Sequence, residues 1–366
     1  QPPDSGKKSV ASAAQGYDVV LPVTVRNHKG ELVAGLKIGE LTLTEDGRPQ
    51  TIKSFTRESN LPFRLGLLVE TSHGVMSAME SERQAAGKFV DAMLPQRPSG
   101  AAASSTDQVF LIHFDRIVEL LRDFTSSREK LHHELDEMGP TRTAQKESQS
   151  SDNNGDSTGS YGGQGHGQSR NHGGSTLYDA IFLASDEVMK GQQGRKALIV
   201  FSDGVDRDSK ETLNDAVDAA DRAGVAVYTI YFKGEEERGQ SGNSGGGRHG
   251  GGFPGGGGYP GGGGYPGGGG RHGGGGQSEP GVDGKKILEK IAQRTGGRFF
   301  EAKKKENLDE IYGQIAEELR GQYWLIYTPD VLDKEGGFHK IALKTTKSEL
   351  TVETREGYYA PGGDAK

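Results

Sequence analysis

The chain contains no cysteine, and only 32% of its 366 residues are hydrophobic. Without cysteine there are no disulfides, no thiol nucleophile and no thiolate metal site, although the compartment stays open. Long apolar runs are also missing, and none approaches the roughly 20 residues needed to span a bilayer as a helix. Basic residues are scattered and the net charge is −7, so a nucleic-acid backbone is not an expected partner. The low hydrophobic content has a local cause. The chain has 59 glycines, and they gather in two stretches. Outside these, core-forming patterns are ordinary, and the length suits one large domain or two moderate ones.

Residues 1–16 read as a flexible polar lead. Residues 17–60 read as β. Val19, Leu21, Val23 and Val25 alternate with other residues, and Asn27-His28-Lys29-Gly30 and Glu45-Asp46-Gly47 are turn signals. Pro22 predicts an edge strand, because it cannot donate to a ladder. From residue 61 to 322 strands and helices alternate. Phe63–Val69, Val109–Phe114, Ala197–Phe201 and Val225–Phe232 are buried-strand runs. Leu308, Ile311, Tyr312, Ile315 and Leu319 mark one helix face. Residues 323–366 return to β. The predicted class is α/β: a mostly parallel, doubly wound sheet, with a small β domain built from both chain ends.

Two glycine-rich insertions interrupt the α/β part, at 139–174 and 234–281. The second holds Phe253-Pro254, Tyr259-Pro260 and Tyr265-Pro266, each followed by four glycines. Such composition cannot bury enough apolar surface to fold alone. The first insertion leads into Ser175, and the second leaves the end of strand Val225–Phe232. Both are therefore expected at the edge where the parallel strands end.

Leu65–Gly74, Gly173–Ala180 and Lys196–Gly204 are similar, in order and position, to the loop-bearing segments of the von Willebrand factor type A (VWFA) domain. Leu41–Gln50 and Thr354–Tyr359 resemble the flanking signatures of the bacterial VWFA-related family. The resemblance covers about 18–361 apart from the insertions. It implies a Rossmann-like fold and protein binding rather than catalysis. It also implies a metal-ion-dependent adhesion site, whose pattern is Asp-x-Ser-x-Ser, then Thr, then Asp. Here the pattern reads Glu70-x-Ser72-x-Gly74, then Ser175 with Thr176 beside it, then Asp203. Mg²⁺ wants six oxygens in a tight octahedron. Glu70 is one methylene longer than Asp, and Gly74 carries no hydroxyl. The expectation is a degenerate site, with Mg²⁺ or another divalent cation as the alternative. His73 beside the loop is expected to face solvent, as a partner-binding residue rather than a ligand.

Enzyme readings fail on the residues. Ser72 and His73 are adjacent and point apart, with no Gly-x-Ser-x-Gly elbow. No Gly-x-Gly-x-x-Gly opens a helix after a strand, and no Gly-Lys-Ser/Thr is present. Glu317-Glu318 and Asp206/Asp208 read as a solvated helix face and a charged loop. The polar start at Gln1 reads as a mature end left by signal removal; a chain shortened at its front is the other reading. The expected function is a secreted, cell-surface or periplasmic adhesion module. It would bind other proteins, copies of itself included, with Phe253, Tyr259 and Tyr265 as contact rings. The alternatives are a subunit of a surface filament or larger complex and a metal-dependent receptor for an acidic group.

Overall fold

The computed structural model describes residues 17–57, 61–94, 106–140, 175–233, 283–304, 307–333 and 335–362. The lead 1–16, residues 141–174 and the hexads with Phe253, Tyr259 and Tyr265 lie outside them.

Strand β5 (Phe63–Glu70) is buried along its whole length. An apolar strand without alternation suits a sheet covered on both faces. It pairs in parallel with β6 (Gln108–Phe114) on one side and β8 (Arg195–Ser202) on the other. Parallel pairing continues through β9 (Ala226–Tyr231) to β10 (Phe299–Glu301). At the other edge β7 (Val118–Thr125) turns back antiparallel on β6. The order is β10-β9-β8-β5-β6-β7.

Helices cover both faces. Leu65, Leu67 and Val69 of β5 pack with residues of α1 (Met79–Met93), α2 (Arg128–Glu137) and, through Leu308, Ile311, Tyr312, Ile315 and Leu319, α6 (Leu308–Gly321). Leu68 faces the other layer, made by α3 (Leu177–Leu183), α4 (Leu213–Ala223) and α5 (Gly284–Thr295). Helix α3 widens into a π-turn over Ala184–Met189, which periodicity did not foretell. Thr212 and Asp215 form a capping box at the start of α4, and Gly224 ends it in the left-handed region at φ 66°.

The close packing has a local condition. A Cβ on Gly66 of β5 would lie 2.3 Å from Phe110 Cζ and 2.6 Å from Leu198 Cδ2. Gly66→Val is expected to destabilise the core by about 1–3 kcal/mol through overpacking. Urea unfolding checks this; an unchanged midpoint would show that Phe110 has room to move.

The chain ends interleave. Strand β1 (Val19–Asn27) pairs antiparallel with β11 (Tyr323–Tyr327) through Val19–Val23 and with β13 (Leu350–Glu353) through Thr24–Asn27. Pro22 was expected on an edge strand. β1 is interior in the order β13-β1-β11-β4, but Pro22 falls where only β11 pairs, so its missing N–H costs no ladder bond. β2 (Leu41–Glu45) and β3 (Arg48–Gln50) form a hairpin, and β12 (Phe338–Thr345) pairs β2 on one side and β14 (Gly357–Tyr359) on the other. The chain then leaves that sheet: β4 (Ile52–Thr56) pairs β11 instead. These sheets share a separate apolar cluster that includes Leu21, Val23, Leu43, Leu325 and Tyr327.

The antiparallel and parallel parts meet at a buried polar joint. Glu318 of α6 is only 2% exposed and ion-pairs with Arg26 of β1. Its Oε1 accepts from Tyr228 OH of β9 at 3.2 Å and from Thr24 Oγ1 at 3.3 Å, and Arg298 lies 3.6 Å from its Oε2. Gln322 Nε2 donates to Tyr228 OH at 2.8 Å. The expectation of a solvated Glu317-Glu318 face is therefore half wrong. Glu317 is exposed, but Glu318 turns inward because an arginine waits on β1.

Candidate functional site

In a parallel sheet all strand C-termini share one edge, so loops distant in sequence meet there. Glu70 ends β5 and Ser202 ends β8, its neighbour in the sheet. Glu70 is fully buried. Its Oε1 accepts from Ser72 Oγ, and its Oε2 accepts from Ser202 Oγ at 2.5 Å and from the Asp203 N–H at 3.1 Å. Burial pushes the Glu70 carboxyl up to about 7, the Asp203 charge adds to this, and the three donors oppose it. Asp203 is also raised, by burial first, although the Val205 N–H and the charges of Arg207 and Lys233 pull the other way.

Gly74 faces this group. A Cβ there would lie 2.5 Å from Asp203 Oδ2 and 3.6 Å from Ser72 Oγ. The missing side chain thus leaves a space that the Asp203 carboxylate takes. Asp203 Oδ1 meanwhile accepts from the Val205 N–H at 2.8 Å. Ser175 and Thr176 are each 3% exposed. Thr176 Oγ1 donates to the Asp115 carbonyl at 3.1 Å, just past β6. The Ser175 Oγ has no hydrogen-bond partner, while its carbonyl accepts from the N–H groups of Arg207 and Asp208 at 3.0 and 3.2 Å. His73 is exposed, and Ser72 turns away from it towards Glu70.

The structure therefore brings Glu70, Ser72 and Asp203 into one contact group around Gly74. It ties Ser175 and Thr176 to the neighbouring loops and leaves His73 outside the group. Ser202, which no motif singled out, is the missed member; its signal was its place directly before Asp203 at a strand end. Mg²⁺ fits this donor set poorly. It wants six oxygens, whereas both Glu70 oxygens already serve internal donors and position 74 supplies none. The unpartnered Ser175 hydroxyl argues the other way.

The described ends of both glycine-rich stretches sit at this edge. The Gly139 carbonyl contacts His113 Nδ1 near the end of β6 at 2.9 Å, and Ser175 re-enters beside Arg207. Lys233 closely follows β9. Gly284 approaches Gly204 so closely that a Cβ on Gly204 would lie 2.2 Å from the Gly284 carbonyl oxygen.

The α/β core is VWFA-like. The strand order and the meeting of the three loop segments carry this. No protein-family model and no curated protein matches the chain. Among solved structures it is similar to proximal thread matrix protein 1 from the mussel byssus, at 10% identity and TM-score 0.43, over 81% of this chain and 50% of that one. The chain thus spans about half the length of the mussel protein. It is also similar to BatB from Bacteroides thetaiotaomicron, at 13% identity and TM-score 0.39, over 70% and 98% of the two chains. A third is the vWF domain of the type V pili tip protein Mfa5 from Porphyromonas gingivalis, at 16% identity and TM-score 0.28, over 41% and 40%. No helix among the described residues is long and apolar enough to cross a membrane.

Proposed function

We propose that this chain is a non-enzymatic adhesion or protein-interaction module, extracellular or periplasmic, that receives its partner at the C-terminal edge of the parallel sheet without a metal ion. The carrying observation is the closure of the expected metal loop on itself. Glu70 is satisfied by Ser72, Ser202 and the Asp203 N–H, and Asp203 fills the space beside Gly74. A buried carboxylate already held by three donors gains little from a cation that would have to displace them. What remains for a partner is shape: the exposed His73 and the loop 203–208, on a rigid sheet edge.

Isothermal titration with Mg²⁺ and Mn²⁺ tests the reading. The expected result is no stoichiometric heat for the natural chain and little change in partner binding for Asp203→Ala. Tight one-to-one heat abolished by Asp203→Ala would overturn it and favour a metal-dependent receptor for an acidic group, the reading that the unpartnered Ser175 hydroxyl supports. The double variant Glu70→Asp, Gly74→Ser is expected to gain Mg²⁺ binding. The serine displaces only the far end of the Asp203 side chain and restores a hydroxyl between Ser72 and Asp203.

A further inference from the structure

The three-ligand group that the described residues offer a metal ion lies away from these loops, in the antiparallel part: Glu45, Asp46 and His339. Glu45 ends β2, and Asp46-Gly47 makes the two-residue turn into β3, with Glu45 opposite Arg48. Both turn residues have positive φ, 48° and 79°, as a type I′ hairpin turn requires. His339 stands on β12, next to β2.

The imidazole is set between acids on opposite sides. Its Nε2 faces Asp333 Oδ2 at 3.2 Å. Its Nδ1 lies 2.8 Å from Asp46 Oδ2 and 3.4 Å from Glu45 Oε1. Asp333 is itself fixed by the N–H groups of Glu335 and Gly337, at 2.7 and 2.8 Å. Glu45 is 1% exposed; Tyr327 OH donates to its Oε2 at 2.7 Å, but Oε1, turned towards Nδ1, has no hydrogen-bond partner. One N–H on Nδ1 satisfies one acceptor, and Asp46 is the nearer, so a protonated ring leaves the buried Glu45 oxygen without a donor. Charge gives the same answer. Besides the ring, the cation that ion-pairs with these acids among the described residues is Arg48, 3.9 Å from Asp46. With a protonated ring, the three carboxylates remain one positive charge short. A divalent ion beside a neutral ring closes the difference.

We propose that Glu45 Oε1, an oxygen of Asp46 and His339 Nδ1 hold a divalent transition-metal ion, zinc by chemistry. The two spacings to Nδ1, 2.8 and 3.4 Å, lie on either side of the roughly 3.3 Å edge of a tetrahedron with metal–ligand bonds of about 2.0–2.1 Å, and all three ligand atoms lie within 4.8 Å of one another. One nitrogen and two carboxylate oxygens suit zinc better than Mg²⁺. Asp333 completes the arrangement from outside, fixing the ring so that Nε2 keeps its proton and Nδ1 faces the ion. The ion replaces the Nδ1 proton, which leaves to solvent. Asp46, the most exposed of the three, opens the fourth position to water. The ion would clip the β2–β3 turn to β12.

The test uses the full chain, depleted of metal by chelation and titrated with Zn²⁺, and with Co²⁺ as a spectroscopic probe. One equivalent of Zn²⁺ is expected to raise Tm by roughly 5 °C, and Co²⁺ to give the visible bands of a tetrahedral site. Asp46→Asn and His339→Gln should abolish both signals, and Asp333→Asn should weaken binding about tenfold at unchanged stoichiometry. Asp203→Ala should leave both intact, which keeps this outcome separate from that of the VWFA-like loops. Should His339→Gln fail to fold, Asp46→Asn, at an exposed turn, carries the test. Cobalt bands that survive Asp46→Asn, or that vanish with Asp203→Ala, would place the ion elsewhere and overturn the assignment. So would a natural chain that shows neither bands nor a Tm shift, leaving an ion-pair cluster only.

Discussion

Arg26→Ala is expected to lower the unfolding free energy by about 3–5 kcal/mol and Tm by on the order of ten degrees. Arg26 is the close cation of Glu318, whose side chain is 3% exposed; Arg298 stands farther off at 3.6 Å. Burial already pushes the Glu318 carboxyl up, and the two arginines hold it down. Removing the nearer one leaves a buried charge with weak compensation between β1, β9 and α6. The penalty arises from the orphaned partner rather than from the value of the pair. The double variant Arg26→Met, Glu318→Gln should therefore recover most of the loss, since the amide oxygen that replaces the carboxylate still accepts from Tyr228 and Thr24. Chemical denaturation of both variants checks this. Equal losses in the single and double variants would mean that the charge was never the issue.

The second large effect is a dependence on pH carried by Glu82. It lies in α1 against α6, fully buried, where Tyr312 OH donates to Oε1 and Oε2 has no hydrogen-bond partner. Burial raises its carboxyl from 4.5 to about 8, against the Tyr312 hydrogen bond. In the folded chain the group is a neutral acid at about pH 6–7, while in the unfolded chain it ionises near 4.5. Between these values the native state binds more protons, so stability falls as pH rises. The contribution is fully present below about pH 4.5 and is lost by about pH 8. Over that range it amounts to a few kcal/mol, at about 1.4 kcal/mol per pH unit. Glu82→Gln keeps the acceptor for Tyr312 and removes the titration. The variant should match the natural chain near pH 5 and exceed it in stability near pH 8. Parallel pH profiles for the two proteins would show that Glu82 is ionised in the native state.

The α/β core was legible because its signals are local. The run at Phe63–Val69 lacks alternation, as suits a doubly covered strand, and the stripe from Leu308 to Leu319 keeps the spacing of one helix face. The turns at Asp46-Gly47 and Gly224 were likewise written in their residues. The loop motif announced its own departures at Glu70 and Gly74. Sequence did not show how the structure accommodates them, with Asp203 moving into the glycine's space and Ser202 joining the cluster. Charges that find partners far along the chain were opaque. Glu318 looked like a solvated acid because Arg26 is 292 residues away, and Glu45-Asp46 showed its turn but not its imidazole, because His339 lies on a strand near the other end of the sequence. Periodicity reports which way a residue faces along its own element; it carries nothing about what arrives from elsewhere.

The interleaving of the chain ends also sets an order of events. During synthesis β1 emerges before the α/β core, carrying Leu21, Val23 and Val25, yet its strand partners among the described residues, β11 and β13, emerge only after that core. The core can close by itself through neighbouring strand–helix units, whereas β1 must wait with an uncovered apolar face. Pairings between such distant segments form slowly, and exposed strands invite misassociation while they wait. A nascent chain stalled before β11 would therefore carry a finished core and a sticky, unpaired β1. This is the stage at which a holdase chaperone would be most useful to it.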